Sequence, residues 1–135
     1  MKALTVKQPW AGLIAHGDKT TENRTWALPE RHVGTRILIH AGAAFDNTAR
    51  SLANELDDWQ LTPSAIVAVA TLTGCHFSDD GRCCSPWSEA DLYHWTLTDA
   101  TPLSEPVHAK GALGFWTPTP DVLFAVQAQL ETTRA

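Results

Sequence analysis

Residues 65–73 read Ala-Ile-Val-Ala-Val-Ala-Thr-Leu-Thr (AIVAVATLT), the strongest candidate for a buried strand in this chain. An uncharged run rich in β-branched and apolar residues is typical of a strand that is covered on both faces. A second strand is predicted at residues 35–41 (TRILIHA), because Gly34 and Gly42 flank the run on either side. Together these segments predict that a sheet forms the core of the protein.

Shorter elements surround these two strands. Further strands are predicted from β-forming residues at 3–6, 20–26, 92–97 and 107–116. Helices are predicted from apolar spacing and start signals at 9–16, 46–59 and 121–131. This order of elements predicts an α+β fold, a small β-barrel of five or six short strands with two or three peripheral helices.

The composition fits one globular domain. The chain has 135 residues, of which 44% are hydrophobic and 19% charged. The formal net charge of −5 argues against a protein that coats long stretches of phosphate backbone, because such proteins are usually basic. Residues 1–40 nevertheless hold six Lys or Arg against three acids, so we expect an anionic ligand near elements built from that part of the chain.

The three cysteines do not predict a secreted disulfide framework, since their number is odd and Cys83 adjoins Cys84. The spacing of Cys75-His76 and Cys83-Cys84 fits no common zinc-ligand pattern, and we predict neither a metal nor a cofactor. An apolar leader and an apolar run of the ~20 residues that span a bilayer are both missing. A cytoplasmic protein with no membrane contact is therefore predicted.

The stretch with the most chemistry is Gly17-Asp18-Lys19-Thr20-Thr21-Glu22-Asn23-Arg24, called the octet below. In a strand Glu22 and Arg24 share a face, and a turn at Gly17 can bring Lys19 to the same wall. A carboxylate can accept from an exocyclic amine, while Lys and Arg can donate to a carbonyl or a phosphate. The octet therefore indicates a site for a nucleobase edge or an amide; the alternative is a surface ion-pair cluster on an edge strand.

Other candidate residues carry two interpretations each. Trp10 and Trp26 flank the octet, where they can stack on a base or fill the core. His40 lies at the end of a predicted strand, and it is either an acid or base in a pocket or a core histidine. Lys110 precedes a glycine and can reach a phosphate or carbonyl, or it is a turn lysine.

Gly17-x-Lys19-x-x-Glu22-x-Arg24 resembles the signature of the ASCH (activating-signal-cointegrator homology) domains of the PUA-like superfamily. Further segments resemble the family in the same order: Lys7–Ala11, Glu22–Trp26, Ile39–Ala41, Ser85–Trp87 and Lys110–Trp116. The resemblance covers residues 2–117. We therefore expect an ASCH domain at residues 1–117 and a C-terminal helical extension, packed on the same domain, at residues 118–135.

The resemblance implies a compact barrel with a helix-lined cleft that recognises RNA or a modified nucleotide. The ligand-binding residues that it and the octet suggest are Gln8, Trp10, Lys19, Glu22, Arg24, Trp26, His40 and Lys110. We expect the partner to be RNA, another single-stranded nucleic acid or a free, modified nucleoside.

The resemblance also leaves an enzymatic hypothesis open. One bacterial branch of the family resembles an amidohydrolase that removes acetyl from N4-acetylcytidine, with an essential Lys and a Thr three residues later; another member resembles a ribonuclease. Lys19 matches that Lys, but Glu22 replaces the Thr and removes the hydroxyl nucleophile. In a hydrolase Lys19 would be the base or nucleophile, kept neutral by Arg24 and partial burial, and Glu22 would position water. A binding module is the first hypothesis and a small hydrolase the second; the third is a partner-binding domain whose cleft holds a peptide or nothing.

Overall fold

A computed structural model describes residues 1–134. The strands are β1 (Ala3–Gln8), β2 (Thr21–Arg24), β3 (Arg36–Phe45), β4 (Ala65–Ser78), β5 (Leu92–His108) and β6 (Phe115–Trp116). The α-helices are α1 (Trp10–His16) and α2 (Pro120–Arg134). Short 3-10 helices occupy Glu30–His32, Asn47–Ala53 and Asp58–Leu61.

The six strands form one curled sheet in the order β2-β5-β4-β3-β1-β6. β1 runs parallel to β3, with Leu4 opposite Ile39, and the other neighbouring strands are antiparallel. The predicted α+β fold, a small barrel-like sheet with peripheral helices, is confirmed. This order places β2, which carries the second half of the octet, at one edge of the sheet.

The core lies on both faces of the sheet, as the sequence of β4 predicts. Residues 65–70 are all buried. Ala68 and Leu72 belong to a cluster that also contains residues of α1, whereas Ile66 and Val69 belong to a cluster that contains Val126 of α2. α1 and α2 therefore cover opposite faces of the central strands.

The prediction of one helix over residues 46–59 is wrong, because two 3-10 helices occupy this stretch. Asp46 does cap the first, since its Oδ1 accepts from the backbone N–H of Thr48 at 3.1 Å. Two large apolar residues of the predicted helix are not buried, however: Leu52 is 51% and Trp59 is 45% exposed. Because no apolar face packs against the sheet, little tertiary packing stabilises one long helix here. A second 3-10 helix begins instead after Asp57, which forms a capping box with Gln60.

The strands predicted at 92–97 and 107–116 differ from the structure as well. β5 continues to His108 through Pro102 and Pro106, and β6 keeps only two residues. The paired residues of β2 reach only Tyr93 to Thr96 of β5. The later part of β5 therefore has a strand neighbour on one side only among the described residues, and edge positions are where sheets tolerate proline.

The helix predicted at 121–131 is present as α2, which packs against β5 through residues such as Val126. Among residues 1–134, no helix is long and apolar enough to cross a lipid bilayer.

Candidate functional site

The turn after α1 sets the position of Lys19. The backbone N–H groups of Gly17 and Lys19 both donate to the carbonyl of Leu13, at 3.0 and 3.3 Å. A Cβ on Gly17 would lie 2.8 Å from that carbonyl oxygen, so a larger residue could not approach it without displacing the backbone. This tight turn directs the octet back toward the sheet, and β2 begins two residues after Lys19.

Lys19, Glu22 and Arg24, called the triad below, form one ion-pair network. Oε1 of Glu22 lies 3.6 Å from Nζ of Lys19, and its Oε2 lies 2.9 Å from Nε of Arg24. The Lys19 ammonium also donates to the carbonyl of Thr21. Lys19 is only 4% and Glu22 7% exposed, which excludes the alternative of a surface ion-pair cluster.

Contacts to other elements hold the triad in place. Nη2 of Arg24 donates to the carbonyl of Thr5 in β1 at 2.7 Å, and its guanidinium carbon lies 5.7 Å from the ring centroid of Trp95 in β5. Nζ of Lys19 lies 5.5 Å from the ring centroid of Trp10 in α1. The network therefore ties the three consecutive elements β1, α1 and β2 to β5, which lies about seventy residues later in the sequence.

Burial lowers the pKa of Lys19 from its ordinary value, because the charged ammonium loses most of its water. The carboxylate of Glu22 opposes this shift, and Glu89 adds a smaller contribution in the same upward direction. The positive charge of Arg24 lowers the pKa of Lys19 least of all. The sequence predicts that Arg24 and partial burial together keep Lys19 neutral; in the structure burial is the largest cause of the lowered pKa and Arg24 the smallest.

The triad lines a cleft of about 400 Å³, called the octet cleft below. Trp10, Asn23, Glu89 and the β1 segment Thr5 to Lys7 line it as well, and residues 112–114 form another part of its wall. A volume of this size is in the range of small-molecule pockets. The cleft brings together carboxylates, cations and an indole ring.

His40 and Lys110 lie at a second hollow of about 440 Å³, which shares Thr5, Ala112 and Leu113 with the octet cleft. Nε2 of His40 donates to the carbonyl of Ala109 at 2.7 Å, because a carbonyl oxygen can only accept. Its Nδ1 then accepts from the hydroxyl of Thr5 at 3.1 Å. Burial lowers the pKa of His40. Both ring nitrogens therefore have partners inside the protein, as in a core histidine that also borders a hollow.

Two of the predicted ligand-binding residues lie outside the lining of either hollow. The side chain of Gln8 is buried, where it accepts from the backbone N–H of Gly12 at 2.8 Å and donates to the carbonyl of Thr62 at 3.1 Å. Trp26 packs edge-to-face on Trp95, with ring centroids 4.6 Å apart. These contacts indicate that Gln8 and Trp26 stabilise the fold.

The loop between β4 and β5 contributes Glu89 to the cleft, a residue that is not among those predicted from the sequence. Asn23 of the octet donates to the carbonyl of Trp87 at 2.9 Å, and its own amide oxygen accepts from the backbone N–H of Glu89 at 3.0 Å. Thr21 and Ser85 share a hydroxyl hydrogen bond of 2.6 Å. The loop is therefore clamped to β2, and it brings Glu89 into the cleft. Glu89 has no local sequence pattern that could have identified it.

The same loop holds Cys83 and Cys84, which are joined in a disulfide, while Cys75 is free. Because this bond joins adjacent residues, it connects no two elements of the fold.

Residues 4–105 match the family model of the ASCH domain, so the chain belongs to the ASCH domain family. Its structure is similar to the crystal structure of ASCH from Zymomonas mobilis, with a TM-score of 0.59, 14% sequence identity, and coverage of 94% of this chain and 93% of that chain. A serine-to-alanine mutant of the Zymomonas mobilis protein gives a TM-score of 0.56 at 15% identity, with 94% of each chain covered. A tyrosine-to-phenylalanine mutant of it gives 0.57 at 14% identity, with coverage of 94% of this chain and 96% of that chain. At such identities the likeness establishes the fold alone, and no curated protein sequence matches the chain.

Proposed function

We propose that the protein is an RNA- or nucleotide-binding module that holds one unpaired nucleobase, modified or unmodified, in the octet cleft. The observation that carries this proposal is that Trp10 and the triad line the same cleft. Membership of the ASCH family supports it, because that PUA-like fold is generally associated with RNA binding.

The triad offers both kinds of hydrogen-bonding group that a base edge needs. A carboxylate has about four acceptor positions, so Glu22 can accept from an exocyclic amine while it faces Lys19 and Arg24. The guanidinium of Arg24 has five N–H groups in a fixed plane and suits a ring carbonyl. Because Arg24 is itself held by Thr5 and Glu22, little side-chain entropy is lost on binding.

The half-buried indole of Trp10 supplies an apolar surface beside these polar groups. Stacking on an aromatic side chain contributes roughly 1–3 kcal/mol per base. A volume of about 400 Å³ suits one nucleoside better than a duplex, and the net charge of −5 also suits a local contact with a single-stranded segment.

The test is titration of the protein with the four ribonucleosides, modified cytidines and short single-stranded RNA or DNA, followed by tryptophan fluorescence and calorimetry. Glu22→Gln should relax the preference among bases, because the amide can donate as well as accept. Glu131→Gln, an exposed carboxylate on α2, is the matched control and should bind as wild type does. The proposal fails if wild-type protein has no measurable affinity for any of these ligands.

A second candidate function is hydrolysis of a nucleoside amide such as N4-acetylcytidine, which the burial and lowered pKa of Lys19 beside Glu22 favour. A lysine with a lowered pKa is more often neutral and can take a proton from water that Glu22 positions. The oxygen of water would bond to the acyl carbon, the carbon–nitrogen bond would break, and the amine would leave with the proton from Lys19.

Incubation with N4-acetylcytidine and mass analysis of the products tests this second function. Formation of cytidine and acetate by the wild-type protein, lost in Lys19→Ala, would support this second function. An absence of cytidine and acetate at high enzyme loading would refute it, without bearing on the binding measurements.

A further inference from the structure

A second cluster of reactive side chains lies outside the lining of the octet cleft. The two sulfur atoms of Cys83 and Cys84 and one ring nitrogen of His94 lie within 4.8 Å of one another. The cysteines belong to the loop between β4 and β5, whereas His94 lies in β5 opposite Asn23. The spacing of residues in the sequence does not predict this cluster. Its histidine is His94 of β5 and not His76, which directly follows Cys75 in the sequence.

His94 is the unusual member of the cluster. Its side chain is fully buried, and its Nε2 lies 2.6 Å from the carbonyl oxygen of Glu89. Since that oxygen can only accept, Nε2 donates to it, which leaves Nδ1 as the ring nitrogen that can offer a lone pair. Nδ1 has no hydrogen-bond partner among the described residues. A buried, unpartnered acceptor is costly, and bonding one ring nitrogen to a carbonyl is how metal-binding histidines are commonly oriented.

The two cysteines complete a donor set once their disulfide is reduced. A dithiol reductant supplies two electrons and two protons, so that the sulfur–sulfur bond breaks and two thiols form. A bound cation then displaces both thiol protons and is held by two thiolates and one imidazole. Two sulfurs and one nitrogen suit zinc and similar thiophilic cations, and three protein ligands leave one tetrahedral position for water or another ligand.

We propose that Cys83, Cys84 and His94 form a binding site for one thiophilic divalent cation in the reduced protein, and that the Cys83–Cys84 disulfide closes this site. The reduced protein binds the cation, and the oxidised protein does not.

The experiment uses the full chain and Zn²⁺ as the probe. The protein is reduced with a dithiol, and the reductant is removed under anaerobic conditions. The reduced protein is then titrated with Zn²⁺ in competition with a chromophoric chelator. We expect one equivalent to bind, about 100-fold or more tightly than to oxidised protein or to the Cys83→Ser/Cys84→Ser variant, and about 10-fold or more tightly than to His94→Gln. Cys75→Ser is the matched control, since Cys75 is outside the cluster, and it should bind as wild type does.

A second measurement covers the case in which the buried His94 does not tolerate glutamine. The melting temperature of reduced wild-type protein should rise with Zn²⁺ concentration, whereas that of oxidised protein should not. Equal affinity in the reduced, oxidised and double-serine forms would overturn the proposal, as would full affinity in folded His94→Gln. An equal loss in Cys75→Ser would contradict the assigned ligand set.

Discussion

Replacing Glu22 with glutamine removes the only negative charge within the triad while keeping the side chain nearly the same size. The side chains of Glu22 and Lys19 are 10% and 2% exposed, so the lysine would stay buried without its counterion. At 3.6 Å and an effective dielectric constant of about 20, the gross attraction between Lys19 and Glu22 is about 4–5 kcal/mol. The glutamine no longer bears a charge that must be desolvated, which offsets part of this loss. Removing one partner of a buried pair typically costs about 3–5 kcal/mol, and we expect a loss in that range.

The assay is urea unfolding at pH 7, followed by tryptophan fluorescence and far-ultraviolet circular dichroism. A domain of 135 residues has a free energy of unfolding of roughly 7–20 kcal/mol, so the variant should remain folded. A double-mutant cycle with Lys19→Met isolates the pair, and we expect a coupling energy of at least about 1.5 kcal/mol. Arg82→Ala is the control, because its side chain is 89% exposed and its ion pair with Asp80 spans 3.9 Å; it should cost less than about 0.5 kcal/mol. An equally small effect of Glu22→Gln, with no coupling, would refute the description of a buried, desolvated network.

Three further predictions concern the turn, the second hollow and the aromatic wall. Gly17→Ala should destabilise the fold by about 1–3 kcal/mol, measured by urea unfolding, because its Cβ would press on a backbone carbonyl at 2.8 Å; an unchanged unfolding midpoint would contradict the tight turn. Burial lowers the pKa of His40 in the folded state, so the unfolded chain binds more protons and stability should fall as the pH drops below about 6.5. Comparing the free energy of unfolding at pH 8 and pH 5.5 should show a smaller pH-dependent loss in His40→Gln than in wild type, whereas the exposed control His76→Gln should keep the wild-type loss. Trp10→Ala should weaken nucleoside binding about 5- to 150-fold in calorimetry, corresponding to roughly 1–3 kcal/mol of stacking; Trp26→Ala, outside the cleft lining, should weaken it far less, and equal losses would argue against stacking on Trp10.

The fold follows from the sequence where one segment carries its own signal. The uncharged run in β4 predicts a doubly covered strand, and Pro9 with Gly17 marks α1 closely, because those signals act within a few residues. The failed helix at residues 46–59 shows the limit of such reasoning. Its apolar spacing is helical, but no partner surface buries Leu52 or Trp59, and a spacing pattern does not report what lies opposite.

The site is predictable to the same extent. Spacing within the octet, together with the family resemblance, suggests that Lys19, Glu22 and Arg24 share a wall, and in the structure all three line one cleft. The approach of Glu89 depends on the hydrogen bonds between Asn23 and the loop that precedes β5. Such contacts between distant parts of the chain leave no periodicity in the sequence.

The pairing of β2 with β5 has a consequence for the order in which the protein matures. β2 ends at Arg24, but its strand partner spans Tyr93 to Thr96, about seventy residues later. A nascent chain released from the ribosome only as far as β4 would contain the whole octet and yet lack the strand against which it is aligned. The partner strand and the later residues that line the cleft would come only after β4, so premature termination at that point would yield a polypeptide with the signature intact and an incomplete cleft.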